Sequence, residues 1–107
     1  MPQVAFSSLC CSREYQKGEG YRVFLQAYSR ARDWVRSAGV AEIVAAETPF
    51  FPDVSSERLH DAIQRYQALG CWDGGIEIPR DLYEQALNVF QAVGGISWRH
   101  RYEEVVG

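Results

Sequence analysis

Three apolar stripes with the period of an α-helix, each closed by a glycine, constrain the fold of this chain more than any other feature. Apolar residues recur every three or four positions within each stripe, and glycine is a common stop just past a helix. The stripes and their glycines are Tyr21 to Ala38 with Gly39, Leu59 to Leu69 with Gly70, and Leu82 to Val93 with Gly94. They predict three amphipathic helices, each burying one side. We expect them to meet in one core that contains Phe24, Tyr28, Tyr66 and Phe90.

A fourth, shorter helix is predicted for the sequence VAEIVAAET, Val40 to Thr48. Pro49 ends it, because the residue before a proline is pushed out of the helical conformation. The connector PFFPDV that follows is stiffened by its two prolines, and we expect it to push Phe50 or Phe51 into the core. The next helix begins at an N-cap, Ser55 or Ser56, and the last long helix begins around Pro79.

The N-terminal segment, Gln3 to Ser12, has no helical period. Its apolar and small residues alternate in a way that suits a short strand covered on both faces. A polar connection, REYQKGEG, then leads into the first helix. The sequence therefore predicts a mainly α fold: a small bundle of about four helices with a short N-terminal strand. Residues 1–107 form a single domain in this prediction, with the strand and connection in 1–20 and the helices in 21–107.

Charge and hydropathy exclude several classes of function. The chain has 11 Lys and Arg against 14 Asp and Glu, and its net charge of −3 argues against general affinity for nucleic acid. The one basic cluster, Arg99 to Arg101, is followed by Glu103 and Glu104, so we interpret it as a solvated turn. No apolar run approaches the roughly 20 residues of a membrane span, so we expect no membrane insertion. The N-terminus also lacks the basic leader of a signal peptide.

The three cysteines, Cys10, Cys11 and Cys71, show no metal-binding pattern with the histidines His60 and His100. We therefore predict no metal and no other cofactor. An odd number of cysteines excludes a fully paired set within one chain, and nothing in the sequence marks an activated thiol. A Cys–His nucleophile would depend on the fold, so a small thiol enzyme stays open as a third interpretation. We predict no catalytic residue and no enzymatic activity.

Trp72 lies in a glycine-rich connection between two predicted helices, RYQALGCWDGGIEIPRDLYEQ. We expect it to seal the corner between the last two long helices, and a role in stacking on a ligand is the alternative. The helix ends AIQRYQALG and ALNVFQAVG resemble each other. Since no third copy is present, we interpret them as two amphipathic helices that end alike rather than as a repeat.

The order of motifs in the second half of the chain is more specific than any one motif. A Phe-Pro-Asp precedes a helix with Arg-Tyr that ends in Leu-Gly; then come a Trp, an Ile-Pro-Arg-Asp helix start, a glycine stop and Tyr-Glu-Glu-Val-Val. This order resembles the C-terminal region of ABC-transporter substrate-binding proteins of the nitrate/sulfonate/taurine type, including relatives that bind thiamine pyrimidine precursors. VAFSSLCCSREY and FLQAYSRARDWV are similar to a strand and the long helix of that family, so the resemblance covers nearly the whole chain. The family's usual Asn-Pro-Glu helix start is replaced by QKGEG.

The resemblance implies the C-terminal part of a two-lobed α/β periplasmic binding fold. The intact protein would capture a small anion or heterocycle in the periplasm and deliver it to an ABC permease, without chemistry. Because most of the cleft would come from the other lobe, we expect the chain not to be ligand-competent alone. Ser7, Ser8 and Arg13, near the end of the predicted strand, are the candidates for contact with an anion.

The alternative function is a free-standing helical protein-interaction module. We also expect self-association, because a helical part cut from a larger fold exposes apolar surface. An unpaired strand from Val4 to Cys11 would add open backbone groups. The expected form is a homodimer in which the N-terminal segment pairs with its copy or packs across the partner's helices. A monomer whose N-terminal residues fold back over the helices is the alternative.

Overall fold

The computed structural model describes residues 7–106, and these residues are mainly helical. The elements are α1 (Arg13–Gln16), α2 (Glu19–Ser37), α3 (Val40–Glu47), a 3₁₀ turn (Thr48–Phe50), α4 (Ser56–Ala68), α5 (Arg80–Ala92) and α6 (Tyr102–Val105). The four long helices lie where the sequence predicts them, which confirms the helical part of the fold. Within the described residues, no helix is both long and apolar enough to cross a membrane.

No β-strand forms within residues 7–106, so the predicted N-terminal strand is wrong for its described half. Ser7 to Ser12 have no regular secondary structure, and Gln3 to Phe6 lie outside the described residues. A strand needs a neighbour that completes its backbone hydrogen bonds. The other described segments are helices, turns and loops, so none of them offers that partner.

Contacts between residues divide the chain into two compact units. One unit is Glu14–Ile76, which contains α2, α3, the 3₁₀ turn and α4; we call it the α2–α4 unit. The other unit is Met1–Arg13 together with Glu77–Gly107, which contains α5 and α6; we call it the α5–α6 unit. The predicted single domain over residues 1–107 stays a prediction.

The core of the α2–α4 unit is aliphatic and small. Ile43 of α3 packs with Leu59 and Ile63 of α4, and all three side chains are buried. Partly buried residues surround this cluster: Val35, Ala38, Val40, Val44 and Trp72. The side-chain amide of Gln67 donates to the carbonyls of Val35 and Ala38, at 2.9 Å in each case. The amide therefore holds α4 against the end of α2, next to the turn into α3.

The predicted aromatic core is wrong. Phe24, Tyr66 and Phe90 are between 43% and 50% exposed. In α2, residues along one edge of the predicted apolar face, such as Tyr28 and Val35, are half-buried, whereas residues along the other edge are exposed. Units this small have too little interior to cover a whole amphipathic face, so part of each predicted stripe stays in water.

Helices α4 and α5 end in the same backbone hydrogen-bond pattern. Gly70 and Gly94 have φ angles of +70° and +76°, in the left-handed region that favours glycine. The N–H of Gly70 donates to Gln67 O, and that of the next residue donates to Tyr66 O; Gly94 and its successor repeat the pattern with Gln91 O and Phe90 O. This is the Schellman motif, so the glycine stops predicted at Gly70 and Gly94 are confirmed in physical detail. Gly39 differs: α2 ends at Ser37, and Gly39 has a φ of −63° and is the N-cap of α3.

Candidate functional site

The predicted anion-contact residues lie at the start of the described part of the chain. Ser7 and Ser8 are exposed and lie outside any helix. Arg13 begins α1, and its guanidinium Nη2 donates to the backbone carbonyl of Glu104 at 2.6 Å. The arginine therefore ties the N-terminal segment to α6 within the α5–α6 unit.

The cysteines and histidines are also dispersed. Cys10, Cys11 and Cys71 are free and exposed. Residues 7–106 contain no group of three or more His, Cys, Asp or Glu side chains placed to hold a metal ion. His60 lies 3.9 Å from its neighbour Asp61, and His100 lies 3.9 Å from Glu104.

Trp72 packs against the Ile43, Leu59 and Ile63 cluster of its own unit. Its ring meets that of Tyr66 edge-on, with 5.7 Å between the centroids. Trp72 is therefore an anchor for the core of α3 and α4, whereas the sequence predicted an anchor at the corner between the last two long helices. A ring held in this way has little surface left on which a ligand could stack.

A polar network joins the C-terminal segment to α5. Arg99 donates from Nε to Gln91 Oε1 at 3.0 Å and from Nη1 to Glu84 Oε2 at 3.3 Å, and it also bonds Asn88. The Tyr83 hydroxyl donates to the carbonyl of His100 at 2.7 Å. Partial burial of the Tyr83 ring, with nearby Glu84, raises its pKa above the ordinary value. These bonds hold the C-terminal segment against α5.

The two carboxylates of α6, Glu103 and Glu104, form ion pairs and hydrogen bonds within the α5–α6 unit. Glu103 pairs with Arg80, whose guanidinium carbon also lies 4.6 Å from the centre of the Tyr102 ring. This hydrogen bond lowers the pKa of Glu103 and raises that of Arg80. Glu104 accepts from the backbone N–H of Arg101 at 2.9 Å. That hydrogen bond is the largest cause of the lowered pKa of Glu104, and the hydrogen bond from the Arg101 side chain is the second. The shifted pKa values belong to contacts that cap and anchor α6.

The first large apolar surface lies on the side of α2 away from its packed edge. We call it the α2 outer face, and its exposed residues are Val23, Phe24, Ala27, Ala31 and Trp34. Phe24, Ala27, Ala31 and Trp34 follow a spacing of three, four and three residues, which places them in one line along the helix. The line lies within the predicted stripe from Tyr21 to Ala38, and Phe24 is a predicted core residue, so this face is apolar as predicted but exposed rather than buried.

The second apolar surface is the turn between α3 and α4. We call it the Phe50 corner, and its exposed residues are Phe50, Phe51 and Val54. Phe50 is 78% exposed, the highest value among the large hydrophobic side chains that the structure describes. The prediction that this connector pushes Phe50 or Phe51 into the core is wrong. Ile43, Leu59 and Ile63 already fill the space between α3 and α4, so the connector turns its rings outward.

The two surfaces differ in charge. Residues 39–57 around the Phe50 corner contain four acids, Glu42, Glu47, Asp53 and Glu57, and no Lys or Arg. Helix α2 contains four arginines against two acids. A sequence signal for the corner existed: two prolines bracket two phenylalanines in an acidic segment with no helical period. This pattern led to the prediction that a ring is buried, whereas both rings are exposed.

Three comparisons with known proteins were made for the whole sequence. No protein-family model matches the chain, and neither a curated protein nor a solved structure does. The functional proposal therefore depends on the contacts of residues 7–106 and on the order of motifs in the sequence.

Proposed function

We propose that this chain is a non-enzymatic helical module that functions by packing its exposed apolar surfaces against another polypeptide. One observation carries the proposal: a single unit leaves the α2 outer face and the Phe50 corner in water, while its buried core is only Ile43, Leu59 and Ile63. Contiguous apolar patches of this kind mark interaction sites in soluble proteins. Aromatic residues are also the side chains that contribute most at protein–protein contacts.

The shape of these surfaces supports a protein partner over a small molecule. Small-molecule sites are concave and bury most of their ligand. The depression at the start of α2 is open to solvent and lined by Gln16, Lys17, Gly18, Glu19, Tyr21 and Arg22. The α2 outer face and the Phe50 corner, in contrast, are a helix side and a projecting turn, which are the kinds of surface that proteins cover with one another.

The polar groups with shifted pKa values support a role without chemistry. Arg80, Tyr83, Glu103 and Glu104 are all engaged in joining α6 and the segment before it to α5. A general acid or base needs a reactive proton near a bound substrate. Here the carboxylates are lowered in pKa by bonds to arginine and backbone, which holds them ionised and structural.

Site-specific photo-crosslinking in the native cell tests the proposed function. A benzoylphenylalanine at Phe50 or Phe24 should give a discrete covalent adduct to another polypeptide, because both positions lie on the proposed surfaces. The same group at exposed Gln64, on the polar side of α4, is the matched control and should give none. Loss of every adduct at Phe24, Phe50 and Trp34 would contradict the proposal.

A second proposal identifies the polypeptide that covers these surfaces as the rest of a solute-binding protein of the nitrate/sulfonate/taurine type. The ordered motifs from Phe50 to Val106 favour it, since that resemblance implies a C-terminal part whose apolar faces pack on a larger fold. It would act in the periplasm, and its further partner would be an ABC permease. The coding sequence upstream of Met1 tests it: an encoded first lobe supports the proposal, and an unrelated upstream sequence contradicts it.

The same proposal has a solution test. An isolated C-terminal part would leave a small anion largely in water, so calorimetry with taurine, nitrate and a pyrimidine precursor should show no binding. A micromolar ligand with defined stoichiometry would contradict this proposal. In that case Ser7→Ala and Arg13→Gln would show whether the predicted anion contacts take part.

A further inference from the structure

The α2 outer face has the form of a shallow notch. Ala27 and Ala31, one turn apart, form a low floor, and the larger side chains of Phe24 and Trp34 stand at its two ends. Ten residues of helix separate the two aromatics, so the notch is about 15 Å long. Phe24 stacks on Tyr28 with 6.0 Å between ring centroids, which fixes one end wall in place. A notch of small residues between aromatic walls is suited to accept a projecting aromatic side chain.

The Phe50 corner has the form of a rigid projection. Phe51 N–H donates to Thr48 O and Val54 N–H donates to Phe51 O, both at 3.1 Å, so two consecutive turns fold the corner. The Thr48 hydroxyl also donates to Val44 O at 2.6 Å, which fastens the corner to α3. Pro49 and Pro52 remove backbone freedom on either side of Phe50. A corner that is already ordered loses little conformational entropy when it binds, which favours contact.

Charge makes the two surfaces complementary. Glu42, Glu47, Asp53 and Glu57 near the corner form no ion pair with any other residue among 7–106. On α2, Arg22 pairs with Glu19 and Arg36 pairs with Asp33, whereas the side chain of Arg30 has no hydrogen bond or ion pair within the described residues. Arg30 lies one turn before Trp34, beside the notch. Unpaired negative charge thus surrounds the projection, and an unpaired positive charge borders the notch.

We propose that the partner of the Phe50 corner is the α2 outer face of a second copy of this chain. In this contact, Phe50 enters the notch between Phe24 and Trp34, and Arg30 meets the carboxylate of Asp53. The proposal rests on the proposed function and names its partner. It also moves the expected homodimer contact from the N-terminal segment, whose described part forms no strand, to the helices.

The contact joins two different surfaces of the chain. Both surfaces belong to the α2–α4 unit, so two copies can exchange them reciprocally about a twofold axis and make two contacts, or they can pass them on to further copies. Either form makes association depend on the corner of one copy and the notch of another. That dependence separates this contact from a symmetric one in which a single surface meets itself.

Sedimentation velocity over a range of concentrations measures the first consequence. The full chain should associate, and Phe50→Ser or Ala31→Glu should each weaken association by at least about tenfold, the scale of losing a central interface residue. Both positions are exposed, so circular dichroism should show an unchanged helical fold. Gln64→Ser, at an exposed polar position of α4, is the matched control and should leave association unaltered. A monomeric wild-type chain at millimolar concentration would overturn the proposal.

A mixing experiment is the sharper test. The Phe50→Ser variant keeps an intact notch and the Ala31→Glu variant keeps an intact corner, so the mixture should associate more tightly than either variant alone. A charge exchange gives a second readout: Arg30→Asp and Asp53→Arg should each weaken association, and the double variant should recover it. Failure of the mixture to associate would overturn the corner-to-notch contact.

The photo-crosslinking of Phe50 distinguishes this proposal from the proposed function. An adduct of twice the mass of the chain, mapped to the segment 23–34, supports the second copy as partner. An adduct to a different protein keeps the proposed function and overturns the self-contact. Absence of any adduct contradicts both.

Discussion

Helices α4 and α5 end in nearly the same sequence and fold back in different ways. Both carry Gln-Ala, then Leu or Val, then a glycine with positive φ, and both close with the same pair of backbone hydrogen bonds. After α4 the chain returns through Trp72, which packs on aliphatic side chains. After α5 it returns through Arg99, which bonds three polar side chains of that helix. The same type of helix end is therefore followed by apolar packing in one unit and by polar hydrogen bonds in the other.

The matching glutamines show the difference most directly. Gln67 donates its amide to two backbone carbonyls beside a buried core, whereas Gln91 accepts from a guanidinium in a more exposed network. Apolar burial is insensitive to pH and is strengthened by salting-out ions. Exposed ion pairs and charge-assisted bonds are weakened by salt and lost when the carboxylate is protonated. We therefore expect that changes of pH and salt which unfold the α5–α6 unit leave the α2–α4 unit folded.

The largest difference should come from the equivalent positions Ile63 and Leu87. Ile63 is 2% exposed at the centre of the α3–α4 cluster, so Ile63→Ala should lower the free energy of unfolding by about 2–5 kcal/mol. Leu87 is half-buried, so Leu87→Ala should cost less than about 2 kcal/mol. Urea unfolding followed by circular dichroism measures both. Equal costs would show that the two helices are anchored alike.

The next largest difference should separate the two returning tryptophans. Trp72→Ala removes a ring that packs on the core and on Tyr66, and should lower the free energy of unfolding by about 2–3 kcal/mol. Trp98 is 65% exposed and contacts His100, so Trp98→Ala should stay within about 0.5 kcal/mol. Thermal melts of the two variants test this. A larger effect at Trp98 would mean that the α5–α6 unit depends on an apolar anchor after all.

The glycine stops should respond similarly, with a smaller loss. Alanine at Gly70 or Gly94 must adopt a positive φ, which costs about 1–2 kcal/mol. At Gly70 the new Cβ would also lie 2.6 Å from a carboxylate oxygen of Asp73, which must move, so this variant should be the less stable of the two. Gly39→Ala is the control, because Gly39 has a φ of −63° and nothing within 4 Å of the added carbon. A costly Gly39→Ala would refute the conformational explanation.

The smallest effect concerns acid. The pKa values of Glu103 and Glu104 are lowered in the folded chain, so both groups stabilise α6 at pH values above their ordinary pKa of 4.5. That contribution is lost as the pH falls below 4.5 through the lowered folded values. Amide hydrogen exchange should therefore show α6 opening in this range while α3 and α4 stay protected. The Glu103→Gln, Glu104→Gln variant should remove the pH dependence; opening of both units together would contradict the comparison.

Local sequence predicted the elements well because their causes are local. The Ser55 hydroxyl accepts from the Arg58 N–H at 3.3 Å, and Pro79 immediately precedes α5. Each of these signals acts within one helical turn, so the neighbouring residues decide where the helix begins. The apolar periods likewise located α2, α4 and α5. The described half of the N-terminal strand failed because a strand is not local: its hydrogen bonds need a second segment.

The sequence predicted the apolar residues of the candidate site but not their exposure. The sequence predicts Phe24, and either Phe50 or Phe51, as core residues. Periodicity states which residues share a side of a helix, but it does not state how much of that side a neighbour covers. The neighbours here are short helices, and Ile43, Leu59 and Ile63 complete the α3–α4 contact without the aromatics.

The sequence by itself determined where this chain is helical and where each helix stops, because caps, prolines and glycines act over three or four residues. Only the tertiary structure decided which apolar residues are buried, since burial depends on the shape and number of the packed elements. It likewise decided that Trp72 returns to an apolar core and that Arg99 returns to a polar helix side. The exposed Phe50 corner and α2 outer face follow from that second decision, because a core filled by three aliphatic side chains has no room for the remaining aromatics.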